Sequence, residues 1–156
     1  MKIAYTCLLV CYLYILLLPQ SKAQTVAFED LGRLQLQEER PVLVFIHTGW
    51  CRYCNSMRNS LHNHKEVAEL VKRKFYLVEL NAEAKNTIRF AGRDFQFKPT
   101  GLSTGTHELA AELGTVNGQI SYPSLCILNN KNEITFQYAG FLDPVSLLKL
   151  LRSVSK

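Results

Sequence analysis

Hydrophobic positions along the chain fall into blocks with two different periods. Phe28, Leu31 and Leu34 recur near helical spacing in AFEDLGRLQLQEER, which predicts an amphipathic helix over about residues 27–39. Val42, Leu43, Val44, Phe45 and Ile46 form an unbroken apolar run, the pattern of a strand buried on both faces. Farther on, Cys54, Met57 and Leu61 fall at i, i+3 and i+7, one face of a helix beginning near Cys51. Val67, Leu70 and Val71 mark a second helical stretch, and FYLVELN reads as another buried strand. That order predicts two parallel strands joined by a right-handed helical crossover.

The pattern is less regular from Thr87 to Gly105. TIRFAGRDFQF alternates and turns around Gly92, which predicts a small hairpin, and KPTGLSTG reads as a loop. Thr106 is placed to cap a short helix through Leu113, with Leu109, Ala110 and Leu113 inward. SYPSLCILNNKNEITFQYAG reads as two strands joined by a turn at Asn129–Asn132. Asp143 as N-cap and Pro144 at the first helical position open a last helix, whose inward face is Leu147, Leu150, Leu151 and Val154.

The N-terminus stands apart. Lys2, an apolar run from Ile3 to Leu18, Pro19 and the small-x-small stretch Ser21-Lys22-Ala23 have the form of a secretory signal peptide over residues 1–23, cleaved after Ala23. An uncleaved anchor is the alternative, although the apolar run is short for a membrane span. Residues 24–156 then form a single domain, long enough for a real core. Its composition, 47% hydrophobic and 20% charged for the whole chain, excludes wholesale disorder. Cleavage removes Lys2 and Lys22 and no acid, so the net charge falls from +5 to +3. That modest, scattered excess gives a nucleic-acid partner no support. The location implied is periplasmic or secreted.

Cleavage also reduces five cysteines to Cys51, Cys54 and Cys126. One close pair plus one leftover suits chemistry better than a disulfide framework. Cys51 falls where a strand ends and a helix begins, where free backbone N–H groups favour a thiolate. Cys54 lies one turn along the same face, within reach of a disulfide. The first sulfur is thus expected to be an exposed nucleophile and the second a shielded resolving thiol. A zinc site needs about four ligands, and only Cys126 and the dispersed His47, His62, His64 and His107 are at hand. Haem attachment needs histidine after the second cysteine, where Asn55 stands. An inert structural disulfide stays open, although so small a loop would constrain the unfolded chain little. Cys126, inside a strand, is read as a small core residue. His62 and His64 are read as solvated, and Phe95, Phe97 and Pro99 as aromatic packing over the sheet edge.

VLVFIHTGWCRYC, followed some seventy residues later by SYPSLCILN, resembles the thioredoxin superfamily, over roughly residues 26–155. The resemblance implies an α/β fold, a central mixed sheet flanked by helices, with an inserted segment before a strand that opens on a cis-proline. Pro123 matches that proline. The long connection FAGRDFQFKPTGLSTGTHELAAELG is similar to exported bacterial members of the superfamily. The resemblance also places Trp50, Arg52, Tyr53, Tyr122 and Pro123 against a bound substrate chain, with the Tyr122 backbone hydrogen-bonding to it. Trp50 either gates the site or packs beside it. Arg52 either supports the neighbouring thiolate or is a solvated cation, and Tyr53 in its place is similar to glutaredoxins. One departure concerns protons. Where thioredoxins carry a buried carboxylate six residues before the first cysteine, this chain has Phe45. His47 is a candidate for that role, but is read as packed at the strand end.

What the resemblance implies is a thiol–disulfide oxidoreductase acting on protein substrates through Cys51 and Cys54, with reduction or isomerisation favoured over strong oxidation. It needs no metal and no cofactor beyond the pair. Its reducing equivalents come from a partner thiol protein or a membrane electron carrier. The alternative is a thioredoxin-fold binding or assembly module whose cysteine pair is regulatory or vestigial.

Overall fold

A computed structural model describes residues 24–155; the signal-peptide reading of residues 1–23 lies outside them. A single 3-10 turn, Phe28–Asp30, leads into α1 (Leu31–Gln37). β1 (Val42–His47) follows, then α2 (Arg52–Asn63), α3 (Lys65–Lys74) and β2 (Tyr76–Asn81). β1 and β2 are parallel, with Phe45 beside Glu79 and His47 beside Asn81. β9 (Ser124–Leu128) runs antiparallel on the other side of β1, and β10 (Ile134–Ala139) antiparallel to β9. The main sheet is therefore mixed, in the order β10-β9-β1-β2. α5 (Pro144–Val154) ends the chain, capped by Asp143, whose carboxylate accepts from the Val145 and Ser146 N–H groups.

β1 is buried on both faces because it is the strand that two helical layers share. Leu43 and Phe45 join a core with Met57 and Leu61 of α2, Val67 and Val71 of α3, and Leu147 and Leu151 of α5. Val42, Val44 and Ile46 face the other core, with Phe28, Leu31, Phe90, Leu109 and Leu113. Each fully buried Leu, Ile or Phe contributes about 2 kcal/mol, so these two half-cores carry most of the stabilisation. No helix of the described residues is long and apolar enough to cross a membrane.

The inserted segment between β2 and β9 holds three hairpins and one helix. β3 (Ile88–Phe90) and β4 (Arg93–Phe95) turn through Ala91 and Gly92, both at positive φ, so the hairpin expected around Gly92 is present. The stretch read as a loop is partly strand. β5 (Phe97–Pro99) pairs with β6 (Gly105–His107), which places Thr106 opposite Lys98. Thr106 is therefore not the helix cap. That role falls to His107, whose Nδ1 accepts from the Leu109 N–H at 3.2 Å, while its Nε2 donates to the Asn86 carbonyl at 3.2 Å. α4 (Glu108–Gly114) follows with Leu109, Ala110 and Leu113 inward as expected. Asn117–Gly118 then closes a hairpin between β7 (Thr115–Val116) and β8 (Gln119–Ile120) that hydrophobic periodicity does not reveal. Phe95 is buried, Phe97 half-buried and Pro99 exposed, so the aromatic packing is real but does not extend to the proline.

Candidate active site

β1 ends at His47, and Thr48-Gly49-Trp50 carries the chain to Cys51, the N-cap of α2. The Cys54 N–H donates to the Cys51 Sγ at 3.1 Å, an interaction that favours a thiolate once the pair is reduced. Cys51 and Cys54 form a disulfide, with Cα atoms 5.2 Å apart. One expectation needs correction: Cys51 is only 6% exposed, against 0% for Cys54. In the disulfide the Cys51 sulfur is bonded to its partner and turned to the helix end, so access is graded and not open. Alkylation of the reduced protein near neutral pH is expected to label Cys51 about tenfold faster or more. Peptide mass mapping over time reads this directly, and equal rates, or faster labelling of Cys54, would overturn the two roles.

The surroundings of the pair are apolar and partly open. Trp50 is 70% exposed and donates from Nε1 to Glu83 Oε1 at 3.1 Å, so its ring stands in solvent on a tether instead of packing down. Tyr53 is also exposed, its ring 5.5 Å from that of Phe141. Arg52, Tyr53, Ser56 and Phe141 line a shallow recess of about 320 Å³. Arg52 is exposed and forms no ion pair among the described residues. Phe141 was not legible in the sequence, because it belongs to the loop after β10 and joins the site only through the fold.

Tyr122 and Pro123 reach the same end of the sheet. Ser124 pairs with Ile46 near the end of β1, which puts Pro123 beside the residues that lead to Cys51. The Tyr122–Pro123 peptide bond is cis. Tyr122 is half-buried and packs against the core cluster that contains both cysteines. Burial pushes its phenol up, more than a Thr106 hydrogen bond lowers it. Cys126 is fully buried, its thiol pushed up to about 12 by that burial, and is the core residue expected.

The histidines divide. His47 is packed, as expected, with its ring stacked on Phe45 at 5.5 Å. His62 is not simply solvated: its Nε2 lies 2.6 Å from Glu79 Oε1, and Arg58 Nε donates to Glu79 Oε2 at 2.9 Å. Burial pushes the Glu79 carboxyl up, but those two hydrogen bonds and the Arg58 charge outweigh it and hold it below the usual range. His64 is half-buried at the junction of α2 and α3. The overlooked signal here was an acid, Glu79, inside an otherwise apolar strand. Among the described residues no cluster of three or more His, Cys, Asp or Glu is placed to hold a metal ion.

The model of a thioredoxin-like domain matches the chain over residues 28–155. Comparison with curated protein sequences gives no match. Among solved structures the chain is similar to a thioredoxin from Thermus thermophilus, at 20% identity and a TM-score of 0.58, over 85% of this chain and 87% of the other. It is similar to a disulphide isomerase from Xylella fastidiosa at 15% identity and a TM-score of 0.57, over 82% of this chain and 88% of the other. A protein described as a DsbH oxidoreductase aligns at 18% identity and a TM-score of 0.56, over 88% of this chain and 90% of the other. At these identities the structures establish the fold. That fold, with its Cys51–Cys54 pair, is consistent with thiol–disulfide exchange.

Proposed function

This protein belongs to the thioredoxin-like domain family, and from that premise we propose that it is a thiol–disulfide oxidoreductase exchanging disulfides with protein substrates through Cys51-Arg52-Tyr53-Cys54. The observation that carries the reading is the Cys51 sulfur at the start of α2, accepting a backbone N–H, with Cys54 bonded to it one turn on. A nucleophilic thiolate and a resolving thiol are the two groups that exchange through a mixed disulfide requires. Trp50, Tyr53 and Phe141 offer a substrate chain exposed aromatic surface, Arg52 a cation, and Tyr122 a backbone edge beside Pro123. Electrons enter from a partner thiol protein or a membrane electron carrier, in a periplasmic or secreted setting, and reduction or isomerisation is favoured over strong oxidation.

The test is turnover by the purified protein. Reduction of insulin disulfides by a thiol donor, or oxidation of reduced ribonuclease, is expected to proceed and to be lost in Cys51→Ser. The potential of the pair against a glutathione series then gives the direction, a value near or below that of the glutathione couple marking a reductase. If neither substrate is turned over, and Cys51→Ser leaves the cellular role intact, the chain is a binding or assembly module and the proposal fails.

A further inference from the structure

Cys51 stands between two exposed neighbours of different character. Trp50, just before it, is tied through its indole N–H to the Glu83 carboxylate. Arg52, just after it, is exposed, and its guanidinium makes no ion pair or hydrogen bond among the described residues. The rim around the reactive sulfur is therefore lopsided in charge, with a carboxylate on the Trp50 side and an unpaired cation on the Arg52 side.

The Arg52 side is a formed recess. Arg52, Tyr53 and Ser56 come from the exposed side of the first two turns of α2, and Phe141 closes the recess from the loop after β10. The Tyr53 and Phe141 rings, 5.5 Å apart, give it an apolar wall. Its polar side-chain groups are the Arg52 guanidinium and the Tyr53 and Ser56 hydroxyls, and none of them has a hydrogen-bond partner among the described residues. An arginine only donates, and a hydroxyl turns its proton towards an anion. No carboxylate lines the recess. Asp143, two residues past Phe141, is engaged by its own helix, accepting from the Val145 and Ser146 N–H groups and from the Ser146 hydroxyl at 2.6 Å. Three unpartnered donors beside an apolar wall make a seat for a carboxylate on a short apolar stem. The volume of about 320 Å³ is at the small end of ligand pockets and suits a side chain, not a longer segment.

We propose that this recess is a specificity subsite for protein substrates that carry Asp or Glu one or two residues from the reacting cysteine. Arg52 holds the carboxylate, and the stem of the acidic side chain lies on Tyr53 and Phe141. The inference deepens the oxidoreductase reading and rests on it. Chain geometry sets the limit of one or two residues. Consecutive Cα atoms are about 3.8 Å apart, so Arg52 is one step from Cys51, and a substrate sulfur bonded to Cys51 brings its own chain neighbours over the recess. A guanidinium meets a carboxylate through two parallel N–H donors, which selects by geometry as well as by charge. A substrate with Lys or Arg at the same place sets like charges together and is disfavoured. Because the recess is open to water, the pair behaves as an exposed one and gives a preference of several-fold, not an absolute requirement.

The experiment is a competition for Cys51. Cys54→Ser protein is joined at Cys51 to a cysteine peptide through an activated disulfide, so that no turnover is needed to load it. It is then equilibrated with an equal excess of two thiol peptides that differ only in Glu or Gln beside the cysteine, and intact mass gives the share of each peptide held. Dividing by the same ratio in Cys54→Ser with Arg52→Gln cancels the thiol chemistry of the peptides themselves. The quotient is expected to favour the Glu peptide about fivefold, the upper range for an exposed ion pair. It should fall towards one in about 0.5 M salt, and also when the Glu is moved several residues from the cysteine. Cys54→Ser with Arg52→Glu should hold a Lys peptide over the Gln peptide, and Phe141→Ala should at least halve the Glu preference. Circular dichroism checks that each variant folds, as expected for changes at exposed positions. A quotient of one overturns the proposal, and so does a preference that ignores where the Glu stands or survives Phe141→Ala undiminished. Glutathione is the third competitor; if it displaces the Glu peptide in an Arg52-dependent way, the recess serves a small carboxylate thiol and the assignment to protein substrates falls. The two readings fail separately. A protein inactive on insulin that shows the Glu preference keeps the recess and loses the proposed function; an active one with a quotient of one does the reverse.

Discussion

Cells expressing the Cys54→Ser variant are expected to accumulate discrete high-mass species on non-reducing gels that vanish with reductant. The substitution is nearly isosteric at a fully buried position, and it keeps the backbone N–H that hydrogen-bonds the Cys51 sulfur. Activation of Cys51 therefore survives, and attack on substrate disulfides continues. Serine cannot displace a sulfur, so the mixed disulfide is not resolved from within. Turnover of insulin should fall by about a thousandfold, in line with the loss of one member of a catalytic unit. The double variant, Cys51→Ser with Cys54→Ser, should show none of the trapped species. In protein shown by mass to lack residues 1–23, bands that persist in it would have to run through Cys126, which is fully buried with its thiol pushed up to about 12, and would overturn its assignment to the core.

What the sequence revealed and what it hid differ in how local the cause is. Val42 to His47 was legible because a strand buried on both faces needs no particular neighbour to be recognised, only continuous apolarity. The α2 and α5 boundaries were legible because a cap acts within one turn, with Cys51 and Asp143 each accepting backbone N–H groups of their own helix. Thr106 failed as a cap because its pairing with Lys98 across the β5–β6 hairpin decides its conformation, and that pairing lies outside any helical window. The site divides the same way. Cys51, Cys54 and the cis Tyr122–Pro123 bond lie at positions that their own motifs mark. Phe141 and Glu83 reach Tyr53 and Trp50 from distant segments, so no spacing along the chain could connect them. Glu79 is the intermediate case. An acid between Val78 and Leu80 was visible as an anomaly, but its partners Arg58 and His62 appear only when α2 is laid across β2.

Phe45→Asp is expected to destabilise the fold by about 4 kcal/mol or more, a large share of the 5–15 kcal/mol typical of such a domain. Phe45 is fully buried on the face that carries Cys54, Met57 and Leu61. Removing its ring leaves a cavity, as in large-to-small core changes, and the new carboxyl adds the cost of burying a polar group. Its neighbours do not rescue it. The Arg58 guanidinium lies 5.8 Å from the Phe45 ring centroid but is already bonded to Glu79, and Glu79, in register with Phe45, repels a second anion. Burial and that repulsion together raise the carboxyl's folded-state pKa above the unfolded value of about 3.9. Between those two values the unfolded chain binds fewer protons than the native one, so stability falls as pH rises through the window. Urea unfolding at pH 5 and pH 8, with Phe45→Leu as a control for the cavity alone, separates the terms. Phe45→Leu should cost less and be flat with pH relative to wild type, whereas Phe45→Asp should lose further stability at pH 8. A Phe45→Asp protein as stable as wild type at both pH values would show that Phe45 is not part of the buried face around Cys54.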